Sequence, residues 1–295
     1  MKKLITASLL IINLLGVQAQ SITQSNSVLW KISGLKLSKP SYIFITGTSC
    51  DETLILSQKV NNALKQVVTI AVEFDLWGSK DVNKLGSNNV ATLDSQKLKF
   101  NLSNLELLQF NDILKNGGYP EQLIKEFTNY KISMLYYVLK MSDGPCGMTA
   151  EPITYERQFK PLAKKNKIAY NVLQNIDEFI SENNSHTSNF WKRNIQYYLK
   201  NEQAIKLLVL NETDLYKTEK IESLQKMYQT NKYYQLQYDD SILQKHVNFL
   251  ADKIEKEIIS SPVFFSIDIS NIVYKDRSVF ELLKAKGYEL TAVMQ

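Results

Sequence analysis

Two short apolar runs separated by a helical pattern constrain this chain more than any other feature. Ser41 to Thr46 is rich in aromatic and β-branched residues and reads as a strand. Thr69 to Leu76 is a second apolar strand with an acidic end. Between them, after the turn Gly47-Thr48-Ser49, Leu54, Leu56, Val60, Leu64 and Val67 fall near helical spacing, which predicts a helix over 51–67. Strand, helix, strand in that order is the building unit of an α/β sheet. Further strands are predicted over 28–32, 168–173, 262–269 and 288–293, and further helices over 105–114, 119–139, 155–166 and 278–285. From Ile176 to about Ile259 runs a long helical stretch rich in Lys, Glu, Gln and Tyr, with breaks expected near Ser185, Asn211 and Asp239. Only 10 Gly and 6 Pro in 295 residues exclude turn-dense all-β folds.

The N-terminus reads as an export signal. Met1-Lys2-Lys3 is followed by an apolar run from Leu4 to Val17, and Val17-Gln18-Ala19 places small residues for cleavage after Ala19. The run of about 14 residues is shorter than the ~20 a spanning helix needs. The expected organisation is a signal peptide over 1–19 and one α/β domain over 20–295, exported to the periplasm or the medium. Loss of Lys2 and Lys3 leaves 33 basic against 30 acidic residues, too even a balance for a nucleic-acid binder. No later segment is long and apolar enough to make the mature chain an integral membrane protein. Two cysteines, Cys50 and Cys146, allow either a disulfide or two buried thiols.

Chemistry-bearing motifs are sparse. Of the two histidines, His186 lies in a polar linker and His246 in a helix, and no HExxH pattern exists. There is no Gly-rich phosphate loop and no GxSxG elbow. The tyrosine pairs 136–137, 197–198 and 233–234 read as helix faces half in the core. Glu73 and Asp75, two apart at the end of a strand, are expected on one face. The carboxyl end of a strand in an open α/β sheet is where ligands bind.

Several ordered blocks resemble TraB/GumN proteins. They are Ser27 to Gly34 with Leu37 to Phe44, Ser57 to Leu64 with Val72 to Asp75, Tyr155 to Phe159 with Ala163-Lys164, Leu243 to Ile254, and Phe264 to Val293. The resemblance covers nearly all of the mature chain and is similar to that of TIKI-type metalloproteases. It implies a TraB/GumN-like α/β fold: a mixed central β-sheet flanked by helices, with the long helical segment, about 176–259, in the C-terminal half. It also implies a divalent-metal-dependent hydrolase site. That site has a GxxH motif after the first strands, an acid on the next strand, an Arg in a late helix and a second GxxH-like His near the C-terminus.

Set on this sequence residue by residue, most of that site is replaced. Cys50 falls on the family's Cys, with no first His before it, and Cys146 lies where relatives carry a second Cys. The resemblance therefore implies a Cys50–Cys146 disulfide. Asn271 takes the second His position, and Asp268 stands where a glycine is expected. His246 stands at the Arg position and Gln174 at a carboxylate position. Only Glu73 is retained as a catalytic candidate. One carboxylate rarely holds a catalytic transition metal, so no metal ligand set and no cofactor is expected. The reading is a catalytically inactive, exported relative of metal-dependent peptidases that binds a peptide or protein ligand. Its alternative is an active hydrolase rebuilt around Glu73 with Asp75, Asp268, Asn271 and His246, using Mn, Co or Zn. The residues lean against an enzyme without deciding it.

Overall fold

A computed structural model describes residues 26–34, 37–47, 55–75, 101–127, 130–142, 155–274 and 277–294, with single positions between 84 and 97. The expected signal peptide, Cys50 and Cys146 lie outside the described residues.

Among the described residues, six strands form one sheet: β1 (Leu29–Ser33), β2 (Ser41–Thr46), β3 (Thr69–Val72), β4 (Ala169–Val172), β5 (Val263–Asp268) and β6 (Glu289–Ala292). Their order is β4-β3-β5-β2-β1-β6. The first four neighbours run parallel, and β1 and β6 complete the sheet antiparallel. The sheet is therefore mixed, as expected. Every residue of β2 and β3 is buried, and all of β5 but its last. Central parallel strands are covered on both faces, so they carry continuous apolar runs, and this is why they were legible. The outermost strands, β4 and β6, are largely exposed.

The helices are α1 (Gln58–Leu64), α2 (Asn104–Asn116), α3 (Glu121–Glu126), α4 (Ile132–Ser142), α5 (Tyr155–Asn166), α6 (Ile176–Ser185), α7 (Ser188–Lys217), α8 (Ile221–Thr230), α9 (Lys232–Leu236), α10 (Asp240–Ser260) and α11 (Val279–Ala285). Side chains fix several starts. Ser103 with Glu106 and Asn175 with Glu178 form reciprocal capping boxes on α2 and α6, and Asp239 caps α10. Along α10 the buried stripe is Leu243, Val247, Leu250, Ala251, Ile254 and Ile258, which seats this helix on the core. Around the long α7 pack α4, α8 and α9, forming a helical lobe beside the sheet. Lys59 on α1 pairs with Glu219 just beyond α7, and Glu219 also accepts from the Val28 N–H, tying that lobe to the first strand.

Some boundaries differ from the expectation. Residues 55–57 precede α1 and are not helical. The helix expected over 119–139 is two, because Tyr130 and Lys131 leave the helical path to bridge Val90 and Lys97. Breaks fall at Ser185 and Asp239 as expected, but Asn211 continues α7. The irregular residue is Asn201 (φ −128°, ψ 18°), whose side-chain amide donates to the Tyr197 carbonyl at 2.8 Å. The strand expected to reach Leu76 ends at Val72. Tyr136, Tyr198, Tyr233 and Tyr234 are buried, while Tyr137 is 38% exposed.

Candidate functional site

Three neighbouring strands deliver side chains to one place. Glu73 follows β3, Gln174 lies two residues past β4, and Asp268 ends β5. The Glu73 N–H donates to the Ser266 carbonyl at 3.0 Å, and its carbonyl accepts from the Gln174 N–H at 2.9 Å. Sheet pairing thus fixes the Glu73 backbone beyond the last formal strand residue. These are the carboxyl ends of parallel strands, the edge where open α/β sheets bind ligands.

The Glu73 carboxylate is fully engaged. Its Oε1 lies 3.0 Å from His246 Nε2 and accepts from Asn271 Nδ2 at 2.9 Å. Its Oε2 accepts from Asn271 Nδ2 at 3.0 Å and from the Asp268 N–H at 2.9 Å. Asn271 is 3% exposed and sits in a 3₁₀ turn, Ile269–Asn271, that the Asp268 side chain caps through the Ser270 N–H. His246 stands beside the buried stripe of α10 and faces a second carboxylate, with Nδ1 2.8 Å from Glu182 Oε2. Glu182, on α6, also accepts from Gln174 Nε2 at 2.8 Å.

This geometry sets the charge states. An imidazole donates from both nitrogens only when doubly protonated. Burial pulls His246 down, but hydrogen bonds and charge from Glu182 and Glu73 outweigh it and raise the ring to about 10. Burial pushes Glu182 up, and its bonds to His246 and Gln174 more than reverse that, leaving it below its ordinary value. Asp268, the last residue of β5, is exposed to solvent. Desolvation first, and then the Glu73 charge, raise its carboxyl to about 6 against the opposing bonds from Ser270. Beneath the cluster the buried Ser266 hydroxyl donates to Glu156 Oε1 at 2.7 Å.

Of the residues singled out from sequence, Glu73, Gln174, His246, Asp268 and Asn271 are brought together. Asp75 is not: its carboxylate meets Lys160 of α5 at 3.3 Å. The same-face expectation fails there because β3 has ended, so strand alternation no longer holds at 75. Sequence reasoning missed Glu182 and Glu156. Neither stands in a motif, and each acquires its role only when its helix docks against the sheet.

The divalent metal that the resemblance implies does not fit this donor set. A ligating His must present an unprotonated nitrogen. Both nitrogens of His246 point at carboxylate oxygens, and both oxygens of Glu73 are occupied by donors. Among the described residues, no group of three or more His, Cys, Asp or Glu is placed to hold a metal ion.

Fold and site together define an α/β protein whose polar cluster lies at the carboxyl edge of a mixed sheet. The model of the TraB/PrgY/gumN family matches residues 28–292, and the chain belongs to that family. Comparisons with curated proteins and with solved structures gave no match. Among the described residues, no helix is long and apolar enough to cross a membrane.

Proposed function

We propose that this chain is an exported, catalytically silent family member that binds a peptide or protein ligand near the carboxyl edge of its sheet. The observation that carries this reading is the clamped histidine: His246 bridges Glu73 and Glu182 at 3.0 and 2.8 Å. A protonated imidazole between two carboxylates is neither a base nor a metal ligand. A carboxylate whose oxygens accept four hydrogen bonds is a poor nucleophile and a poor base. Histidine here supplies the positive charge of the Arg that the resemblance puts at this position. The ion cluster then holds α6, α10 and the strand ends together.

One observation favours the second reading, a hydrolase rebuilt around Glu73. Asp268 and Asn271 lie within hydrogen-bond distance of Glu73, and a carboxyl raised to about 6 is suited to general acid–base work.

Calorimetric titration of the mature chain with Mn²⁺, Co²⁺ and Zn²⁺, alongside hydrolysis of a broad peptide library, separates the two. The proposal expects no micromolar metal binding and no turnover. Turnover lost in Glu73→Gln, with or without metal binding, establishes the second reading and overturns the first.

A further inference from the structure

The strand β4 ends one side of the sheet, and among the described residues no further strand lies beyond it. Ala169, Asn171 and Val172 are exposed, Val172 by 41%, and Tyr170 is half-buried. The Ala169 and Leu173 N–H groups donate to the Val68 and Val72 carbonyls at 3.0 and 2.9 Å. A parallel strand turns alternate residues toward its neighbour, so the backbone N–H and C=O groups of Tyr170 and Val172 point away from β3. An exposed edge of this kind is a template for another strand.

Charge along this edge is split about its midpoint. Before β4 stand Lys164, Lys165 and Lys167, all exposed and without an ion-pair partner among the described residues. After it stand Asp177 and Glu178. Asp177 meets Lys84 at 3.0 Å in an exposed pair, and Glu178 accepts from the Asn175 N–H at 2.8 Å in its capping box. Lysines alone are the ordinary guard of a sheet edge. Acids at the opposite end make this edge complementary to itself. Two copies running antiparallel set the basic end of each against the acidic end of the other, whereas parallel copies set like on like.

We infer that β4 pairs antiparallel with β4 of a second copy of this chain, about a two-fold axis at Asn171. In that register Tyr170 of each copy lies opposite Val172 of the other, and each such pair exchanges both outward backbone hydrogen bonds. An aromatic residue opposite a β-branched one is a favourable cross-strand pair. The two Asn171 amides meet at the axis, where a non-hydrogen-bonded pair brings side chains closest. An axis at Tyr170 or at Val172 sets that residue against itself and leaves the other opposite a residue outside β4. With 4 residues a side the ladder is short, so the dimer is weak.

The test is sedimentation equilibrium of the mature chain at low salt, from about 1 µM to about 1 mM. A monomer–dimer equilibrium with Kd on the order of 100 µM is expected. Lys165→Glu and Asp177→Lys each oppose like charges at both ends and weaken association by about tenfold or more. Mixed in equal amounts they recover dimers of the original strength, since the mixed pair has opposite charges at both ends. With both variants shown folded by circular dichroism, loss without this recovery overturns the inference. Hydrogen exchange decides it on the unaltered protein: the Tyr170 and Val172 amides should become protected as concentration rises. A dimer that leaves those two amides unprotected forms through another face and overturns the inference. A chain still monomeric at about 1 mM overturns it too, and leaves the edge to a foreign strand or to none.

Discussion

The Glu73–His246–Glu182 cluster and the surroundings of Lys140 are built on opposite terms. In the first, every charge faces its complement at hydrogen-bond distance. In the second, the Lys140 ammonium has no ion-pair partner among the described residues and meets the Gln237 amide oxygen at 2.8 Å and the Tyr136 ring at 5.9 Å. Charges that complete each other hold a fold together. The residues of the first cluster join α6, α10 and the strand ends. Asp268 adjoins the first, giving its N–H to Glu73 while its carboxylate accepts from the Ser270 N–H.

That contrast is broken or sharpened most strongly by removing the central cation. His246→Leu leaves Glu73 and Glu182 facing each other uncompensated, and urea denaturation should show a loss of about 3–5 kcal/mol. Lys140→Met, which removes a partly buried ammonium with no ion-pair partner among the described residues, should cost under about 1 kcal/mol or stabilise. Equal losses from the two variants would erase the distinction between the regions.

Asn271→Asp comes next. It replaces two amide contacts to Glu73, at 2.9 and 3.0 Å, with a like charge, and a loss of about 2–3 kcal/mol at pH 7 is expected. The loss should shrink at pH 5, where the new carboxyl can take up a proton.

The pH dependence of stability follows from the same cluster. His246 is raised from 6.5 to about 10, so its contribution is complete below pH 6.5 and is lost as pH rises through 10. Glu182 is lowered from 4.5, so its contribution is present above that value and lost as pH falls. Asp268, raised from 3.8 to about 6, opposes Glu182, costing stability as pH rises across that interval. Thermal melts should therefore weaken between pH 7 and 10, by on the order of 3 kcal/mol. His246→Gln should flatten that slope. The smallest effect is expected from Ser266→Ala, about 1 kcal/mol, because it removes a single buried hydrogen bond to Glu156 and leaves both regions intact.

How much of this was legible follows from where the information sits. The central strands could be read because burial on both faces demands unbroken apolar residues, as in Ser41–Thr46. The kink at Asn201 was not, since Asn201 and Asn211 look alike in composition and only packing around α7 decides which one bends. Five positions that cluster at the strand ends could be named because the resemblance indexed them. Glu182 was not, because it stands in no motif and meets Gln174, eight residues away and on another element, only in space. Asp75 was misplaced because strand alternation was carried past the end of β3.

The charge state of His246 decides whether the cluster is structural, and ¹⁵N-detected NMR of the imidazole as a function of pH reads it. Two protonated ring nitrogens persisting to about pH 9, with titration near 10, are predicted. A ring with one bare nitrogen at pH 7, titrating near its ordinary 6.5, would contradict the claim and return His246 to the list of working bases and ligands.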